Sequence, residues 1–133
     1  MSPAGKQLDL LITAGSGYVV GNNAQNRVNG GFGMVNVKAG TSAKLTFTLV
    51  DSSTQVPVTL EEFEMTFYDF DGGSKGKALE FATVGGFDHY KVADDTQILV
   101  SAESDGRTKF TATESGTGRD NPSDPDALTD LQL

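Results

Sequence analysis

Apolar and polar residues alternate along much of this chain, and the alternation predicts antiparallel β-strands. Residues 45–49 alternate leucine or phenylalanine with threonine, and residues 63–67 alternate phenylalanine or methionine with glutamate or threonine. Successive side chains of a strand point to opposite faces, so this pattern is typical of strands with one buried face. Residues 58–60 are one position out of phase with residues 63–67, which predicts a β-bulge at Glu61 and Glu62.

Two later segments, residues 98–102 and 108–112, alternate in the same way and predict a β-hairpin. The connection between them contains Asp105 and Gly106, and an Asp-Gly pair is a strong signal for a tight turn. We expect further strands at residues 7–13, 17–20, 34–37 and 79–81.

These segments together predict an all-β fold with about eight or nine short strands. Their spacing favours an antiparallel β-sandwich, jelly-roll-like, over a closed barrel, but the pattern does not separate the two. Helical signals occur near the end of the chain, where Asp124 would cap a short C-terminal helix that begins at Pro125. We expect one domain over residues 1–133, excised from a larger protein.

Composition and charge exclude several functional classes. The 133 residues include no cysteine, which excludes disulfide bonds and thiolate metal sites. The formal net charge of −8 is unfavourable for binding phosphate backbones, so we expect no nucleic-acid partner. No apolar stretch approaches the roughly 18 residues of a membrane-spanning helix, so we expect no membrane insertion.

The first candidate site is an acidic, glycine-rich segment at residues 69–80. Asp69, Asp71 and Glu80 match positions one, three and twelve of the EF-hand calcium loop, but the glycine required at position six is replaced by Ser74. The flanks predict strands rather than helices, so the segment is not an EF-hand. Closely spaced carboxylates still suit calcium, which takes about six to eight oxygen ligands. The alternative is a solvated hairpin loop whose lysines neutralise its aspartates.

A second oxygen-rich segment, residues 118–126, is stiffened by two prolines. A restrained loop loses less conformational entropy when it binds a cation. We therefore predict calcium (Ca2+) as the cofactor if the two acidic segments meet, with the ligands Asp69, Asp71, Glu80, Asp120, Asn121 and Asp124. The same residue types also form ordinary turns and helix caps, and the sequence leaves that alternative open.

The third candidate site is the segment from residue 14 to residue 33, which is rich in glycine and asparagine. Amide side chains both donate and accept hydrogen bonds, and this chemistry suits sugar hydroxyls. Aromatic rings in the same segment can stack on a sugar face. The predicted ligand-binding residues are Tyr18, Asn22, Asn23, Arg27 and Phe32. The alternative is a flexible connection between two strands.

Patterns that resemble enzyme motifs fail on their context. Residues 72–76 fit G-x-S-x-G, but no helix is predicted after them, as a nucleophile elbow requires. Residues 15–21 miss the dinucleotide-binding pattern by one position. His89 is the single histidine, and a lone histidine near a strand is typical of a packed or surface residue. The glutamates of residues 61–64 would need a cleft to act as a pair of catalytic carboxyl groups. We expect the protein not to be an enzyme.

Residues 60–71 and 116–125 contain the sequences Asp-Phe-Asp and Arg-Asp-Asn-Pro, one in each acidic segment. The two stretches resemble a β-domain of secreted proteins from marine microbes and algae. The resemblance implies an extracellular or cell-surface β-domain that holds a cation. It implies no activity and transfers no catalytic residue.

Two functions are compatible with these observations. The first is a non-catalytic, calcium-binding, extracellular β-sandwich module that recognises a carbohydrate or another cell-surface ligand. The alternative is a structural or assembly domain, such as an adhesin repeat, a fibre or a virion protein, that acts through self-association. In that case segment 14–33 and the leucines Leu128, Leu131 and Leu133 would contact neighbouring subunits.

Overall fold

The structure is a computed structural model that describes residues 5–116, 121–122 and 124–129. These residues form β-strands and two short 3₁₀-helices, at Asn23–Gln25 and Ser74–Gly76, and they contain no α-helix. The prediction of an all-β protein is therefore confirmed for the described residues. The strands are β1 (Leu8–Ala14), β2 (Arg27–Asn29), β3 (Phe32–Met34), β4 (Leu45–Asp51), β5 (Phe81–Val84), β6 (Ile98–Ala102) and β7 (Thr108–Ala112).

The strands form small sheets rather than one large one. β1 pairs with β4, β2 pairs with β3, and the third sheet has the order β5-β7-β6. The chain divides into two compact units, residues 1–27 with 34–66 and residues 28–33 with 67–133. The finer predictions, a β-sandwich and a single domain over residues 1–133, stay predictions.

The first unit is built on the pairing of β1 with β4. The two strands are antiparallel, with Leu10 opposite Leu49 and Ile12 opposite Phe47. This register places the alternating apolar side chains of both strands on one face, as the sequence predicts. Val50, at the end of β4, is buried on the other face.

The second unit contains the three-stranded sheet, with β7 in the centre. On one face of this sheet the ring of Phe110 packs against Tyr90, at 5.2 Å between centroids, and against Phe87, at 6.5 Å. On the other face Lys109 Nζ lies 4.3 Å from the centroid of the Phe81 ring, a cation–π contact. Lys109 and Phe110 are neighbours in β7, and their side chains therefore lie on opposite faces of the sheet.

The hairpin of β6 and β7 forms where the sequence predicts it. The strands are antiparallel, with Ile98 opposite Ala112. The N–H of Gly106 donates to the carbonyl oxygen of Glu103 at 3.1 Å, and Gly106 has φ +83°. This left-handed conformation favours glycine and is typical of a three-residue hairpin loop.

Several predicted strands differ from the structure. Residues 17–20 and 63–67 form no strand, so the predicted β-bulge at Glu61 and Glu62 is absent as well. Alternation indicates which side chains share a face, but it does not supply a partner strand for the backbone. The described residues contain seven strands for the same reason, fewer than predicted.

Two predicted boundaries also shift. The strand expected at residues 34–37 lies earlier in the chain, as β3. The strand expected at residues 79–81 begins later, as β5, because Ala78 has φ +53° and the tight loop continues through it.

The predicted C-terminal helix is absent from residues 124–129. The Asp124 carboxylate accepts a hydrogen bond from the N–H of Asp126 at 3.0 Å, and the N–H of Ala127 donates to the Asp124 carbonyl at 3.3 Å. This is one turn, capped as predicted but not continued, because so short a helix is marginal without packing. The predicted contact residues Leu131 and Leu133 lie outside the described residues.

Candidate functional site

Residues 69–80, hereafter the acidic loop, are folded back on themselves just before β5. The N–H of Glu80 donates to the carbonyl oxygen of Asp71 at 2.9 Å. Ser115 Oγ donates to the carbonyl oxygen of Gly73 at 3.0 Å, and Gly72 forms a β-bridge with Ser115. The hydrogen bond from the N–H of Glu80 places Glu80 beside Asp71, although nine positions separate the two residues in the sequence.

The predicted calcium ligands within this loop influence one another electrostatically. The pKa of Glu80 is raised above its ordinary value of 4.5, first by desolvation of the carboxyl group and then by the negative charges of Asp71 and Asp69. Like charges disfavour ionisation of a neighbour, so these carboxylates repel one another at neutral pH. Asp71 is half-buried, whereas Asp69 and Glu80 are exposed as whole residues.

The second acidic segment contacts the acidic loop through Asn121, and Gly116, just before that segment, also lies against the loop. Asn121 Nδ2 donates to Asp69 Oδ2 at 3.0 Å. Gly116 lies so close to Asp71 that a Cβ atom there would overlap the Asp71 carboxylate. The sequence could not indicate that the two segments meet, and the hydrogen bond from Asn121 is the contact that joins them.

Two predicted ligands remain, Asp120 and Asp124. Asp124 uses its carboxylate to cap its own turn, and Asp120 lies outside the described residues. Within the part of the chain that the structure describes, no group of three or more histidine, aspartate or glutamate side chains is arranged to hold a metal ion. The predicted ligands that the described residues bring together are Asp69, Asp71, Glu80 and Asn121.

In the first unit, the predicted ligand-binding residue Tyr18 is part of a hydrogen-bond network. Its hydroxyl donates to the carbonyl oxygen of Asn36 at 2.6 Å and accepts from Asn26 Nδ2 at 2.7 Å. Asn26 Oδ1 in turn accepts from the N–H of Asn36 at 2.6 Å. Sequence reasoning missed Asn26 and Asn36, because an amide that bonds to backbone leaves no periodic pattern.

The other residues of segment 14–33 take different roles. The side chain of Asn22 accepts from the N–H of Ala24 at 3.1 Å and caps the first 3₁₀-helix, while Asn23 and Arg27 are exposed. Phe32 belongs to the second unit, where its ring meets Tyr68 edge-to-face at 5.2 Å. The predicted ligand-binding residues thus belong to two units.

A cavity of about 220 Å³ lies in the first unit next to this network. Its lining is largely apolar, and Tyr18 and Asn26 supply polar groups. The apolar lining comes from Ile12, Ala14, Met34, Val35 and Leu45.

Sequence reasoning also missed the carboxylate of Asp51, the last residue of β4, which faces the turn that follows. It accepts hydrogen bonds from Ser53 Oγ at 2.6 Å, from the N–H of Thr54 at 2.9 Å and from the N–H of Ser53 at 3.0 Å. These bonds hold the pKa of Asp51 well below its ordinary value. Lys6 Nζ lies 3.6 Å away. The sequence Asp-Ser-Ser-Thr is a recognisable signal for such a turn.

Comparisons of this chain with family models, with curated proteins and with solved structures find no match. The resemblance to a β-domain of secreted proteins therefore stays a hypothesis. Among the described residues, no helix has the length and apolarity needed to cross a membrane.

Proposed function

We propose that the protein is a non-catalytic, extracellular β-domain that binds calcium at the acidic loop. The observation that carries this proposal is the hydrogen bond from Asn121 to Asp69, because it joins two oxygen-rich segments that are far apart in sequence. Calcium accepts carboxylate, amide and backbone carbonyl oxygens in flexible geometry, and both segments offer these groups.

Electrostatics support the same assignment. Desolvation of the Glu80 carboxyl group, followed by the charges of Asp71 and Asp69, raises the pKa of Glu80 and opposes its ionisation. A divalent cation between them would replace repulsion by attraction and would favour the ionised form of Glu80. The carboxylates would close around the cation, and Asn121 would turn its amide oxygen toward it.

A ligand that binds the folded chain and not the unfolded chain stabilises the fold. At a calcium concentration of 100 Kd this linkage amounts to about 2.7 kcal/mol. The experiment is therefore a thermal melt in EGTA, followed by a calcium titration with magnesium as the control ion. We expect a calcium-specific rise in Tm.

The matched variants are Asp69→Asn and Asp95→Asn. Asp69 has φ +63°, and asparagine tolerates this left-handed conformation, so Asp69→Asn removes charge without new backbone strain. Asp95 is an exposed carboxylate in a turn outside the acidic loop. The calcium-dependent rise should be lost in Asp69→Asn and kept in Asp95→Asn. If the Tm of the unmodified protein does not change across the calcium titration, the proposal is wrong.

We further propose that the module recognises a glycan or another surface ligand through the part of segment 14–33 that belongs to the first unit. The network around Tyr18, Asn26 and Asn36 holds the neighbouring residues in place, and it leaves Asn23 and Arg27 exposed. Binding to a glycan array should be reduced by Asn23→Ala. An array without any bound glycan would contradict this part of the proposal.

A second candidate function is an assembly domain that acts through self-association. Large apolar side chains are exposed in both units, and exposed apolar surface favours association. Examples are Leu10, Leu11, Val56 and Phe63 in the first unit and Val28, Phe81 and Leu99 in the second. Sedimentation velocity across a range of protein concentrations tests this candidate, which predicts a species larger than the monomer.

A further inference from the structure

One edge of β1 lacks a strand partner among the described residues, and its backbone groups can be identified. The N–H of Asp51 donates to the carbonyl oxygen of Val56, and the N–H of Val58 donates to the carbonyl oxygen of Leu49. The backbone N–H and C=O groups of Leu49 and Asp51 therefore point away from β1, and those of Thr48 and Val50 point toward β1. The same alternation continues at both ends of the β1–β4 pair, where the N–H of Gly15 donates to the carbonyl oxygen of Lys44 and the N–H of Ser52 donates to the carbonyl oxygen of Gln7.

It follows that the odd-numbered residues of β1 bond to β4 and the even-numbered residues face the other edge. In the register of the pair, Asp9, Leu11 and Thr13 stand opposite Val50, Thr48 and Thr46. The outward N–H and C=O groups therefore belong to Leu8, Leu10, Ile12 and Ala14. Such an edge is a template for another strand.

We propose that this edge pairs antiparallel with β1 of a second copy, with the two-fold axis at Leu11. The inference rests on the assembly candidate and names its surface. A second copy fits this edge because the edge is self-complementary: residues whose N–H and C=O groups point outward (the outward-bonding residues) must stand opposite outward-bonding residues of the partner strand. A two-fold axis at Leu11 places Leu8 opposite Ala14 and Leu10 opposite Ile12, all of them outward-bonding.

This register is also the one that pairs all seven residues of β1. It makes about eight interstrand hydrogen bonds, whereas an axis at Leu10 or Ile12 leaves part of the strand unpaired. Asp9 stands opposite Thr13, so no carboxylate faces its own copy. A two-fold axis perpendicular to the sheet keeps corresponding faces together, and the apolar face formed by β1 and β4 becomes continuous across the two copies.

Cysteine cross-linking tests the register, and the chain contains no other cysteine. In the proposed pairing the two Leu11 residues are a non-hydrogen-bonded pair with Cα atoms about 4.5 Å apart, within the range of a disulfide. The two Leu10 residues are offset along the strands, beyond the limit of about 7 Å. Leu10 and Leu11 are both 46% exposed, so Leu10→Cys is a matched control.

Under mild oxidation, Leu11→Cys should form a reducible covalent dimer at least about tenfold faster than Leu10→Cys. Suppose that the unmodified protein sediments as a dimer. If Leu10→Cys then cross-links as fast as Leu11→Cys, or if neither variant cross-links, the β1 pairing is wrong but the assembly candidate is not. If the unmodified protein is a monomer at every concentration, the β1 pairing and the assembly candidate are both wrong.

Hydrogen exchange on the unmodified protein is a second readout that needs no variant. The amides of Leu10 and Ile12 should gain protection as protein concentration rises, whereas those of Asp9 and Leu11 should be protected at all concentrations. Protection of Leu10 and Ile12 that is already complete in dilute monomer would mean that the chain covers its own edge, and it would overturn the proposal. The net charge of −8 on each copy also predicts tighter association at higher salt concentration.

Discussion

Asp51, at the end of β4, and Glu80, just before β5, both carry a carboxylate beside a strand, but their surroundings shift the pKa in opposite directions. Asp51 accepts hydrogen bonds from Ser53 and Thr54, which favour the ionised form and lower its pKa. Glu80 is desolvated and lies near Asp71 and Asp69, which disfavour ionisation and raise its pKa.

This difference in pKa shift distinguishes two roles of acidic residues in turns. The carboxylate of Asp51 accepts hydrogen bonds from donors in its own turn, so it stabilises the backbone around it. In the acidic loop, desolvation and the charges of Asp71 and Asp69 raise the pKa of Glu80, and in the proposed function a cation supplies the counter-charge. Acidic composition alone does not distinguish the two cases; the surroundings of Asp51 and Glu80 do.

The largest effect is expected from Asp51→Ala, which leaves the donors of Ser53 and Thr54 without their acceptor. The Tm should fall by on the order of 5 °C at neutral pH. Because the folded pKa of Asp51 lies below its ordinary value of 3.8, its stabilisation is complete above that pH and is lost as pH falls through the folded pKa. The Tm difference between variant and parent should therefore shrink in strong acid.

Asp105→Ala is the matched control for Asp51→Ala. Asp105 also accepts a backbone hydrogen bond in a turn, from Arg107 at 3.1 Å, but both members of its ion pair with Arg107 are exposed. An exposed pair contributes little, so the Tm should change by about 1 °C. Equal losses in the two variants would contradict the distinction between the turns.

The next effect is expected from Gly116→Ala, which keeps every carboxylate of the acidic loop. The added Cβ displaces the side chain of Asp71, so the calcium-dependent rise in Tm should fall by about half or more. Gly33→Ala is the control, because a Cβ at Gly33 meets nothing within 4 Å. An unchanged calcium response in Gly116→Ala would remove Asp71 from the site.

The smallest effect is expected from Glu80→Gln, measured as Tm against pH without calcium. Since the folded pKa of Glu80 is raised, the penalty for its ionisation is absent below 4.5 and complete above the folded pKa. The variant should match the parent near pH 4 and melt about 1 to 2 °C higher at pH 7. A parent that is the more stable protein at pH 7 without calcium would contradict the electrostatic account.

Local features of the fold were predictable from the sequence, and distant ones were not. The β6–β7 hairpin depends on two adjacent alternating segments and a glycine turn, all of which are visible in the sequence. The pairing of β1 with β4 joins residues on either side of a long connection, and alternation carries no information about partners. Residues 63–67 illustrate the same limit, because their alternation predicted a strand that the structure lacks.

The candidate site divides in the same way. The spacing of Asp69, Asp71 and Glu80 predicted one loop, and the structure places these residues within reach of each other's charge. The contact of Asn121 with Asp69 spans 52 positions and required the structure. The sequence predicts Tyr18 as a ligand-binding residue, and its hydroxyl belongs to a network with Asn26 and Asn36 that only the folded chain brings together.

The most direct test of calcium binding at the acidic loop is a calcium titration followed by amide chemical shifts in ¹⁵N-labelled protein. Calcium binding at the acidic loop should give saturable shifts for residues 69–80 and for Asn121, with little change for residues 51–55 in the Asp51 turn. Shifts centred on residues 51–55, or no saturable shift in either region, would show that calcium does not bind at the acidic loop.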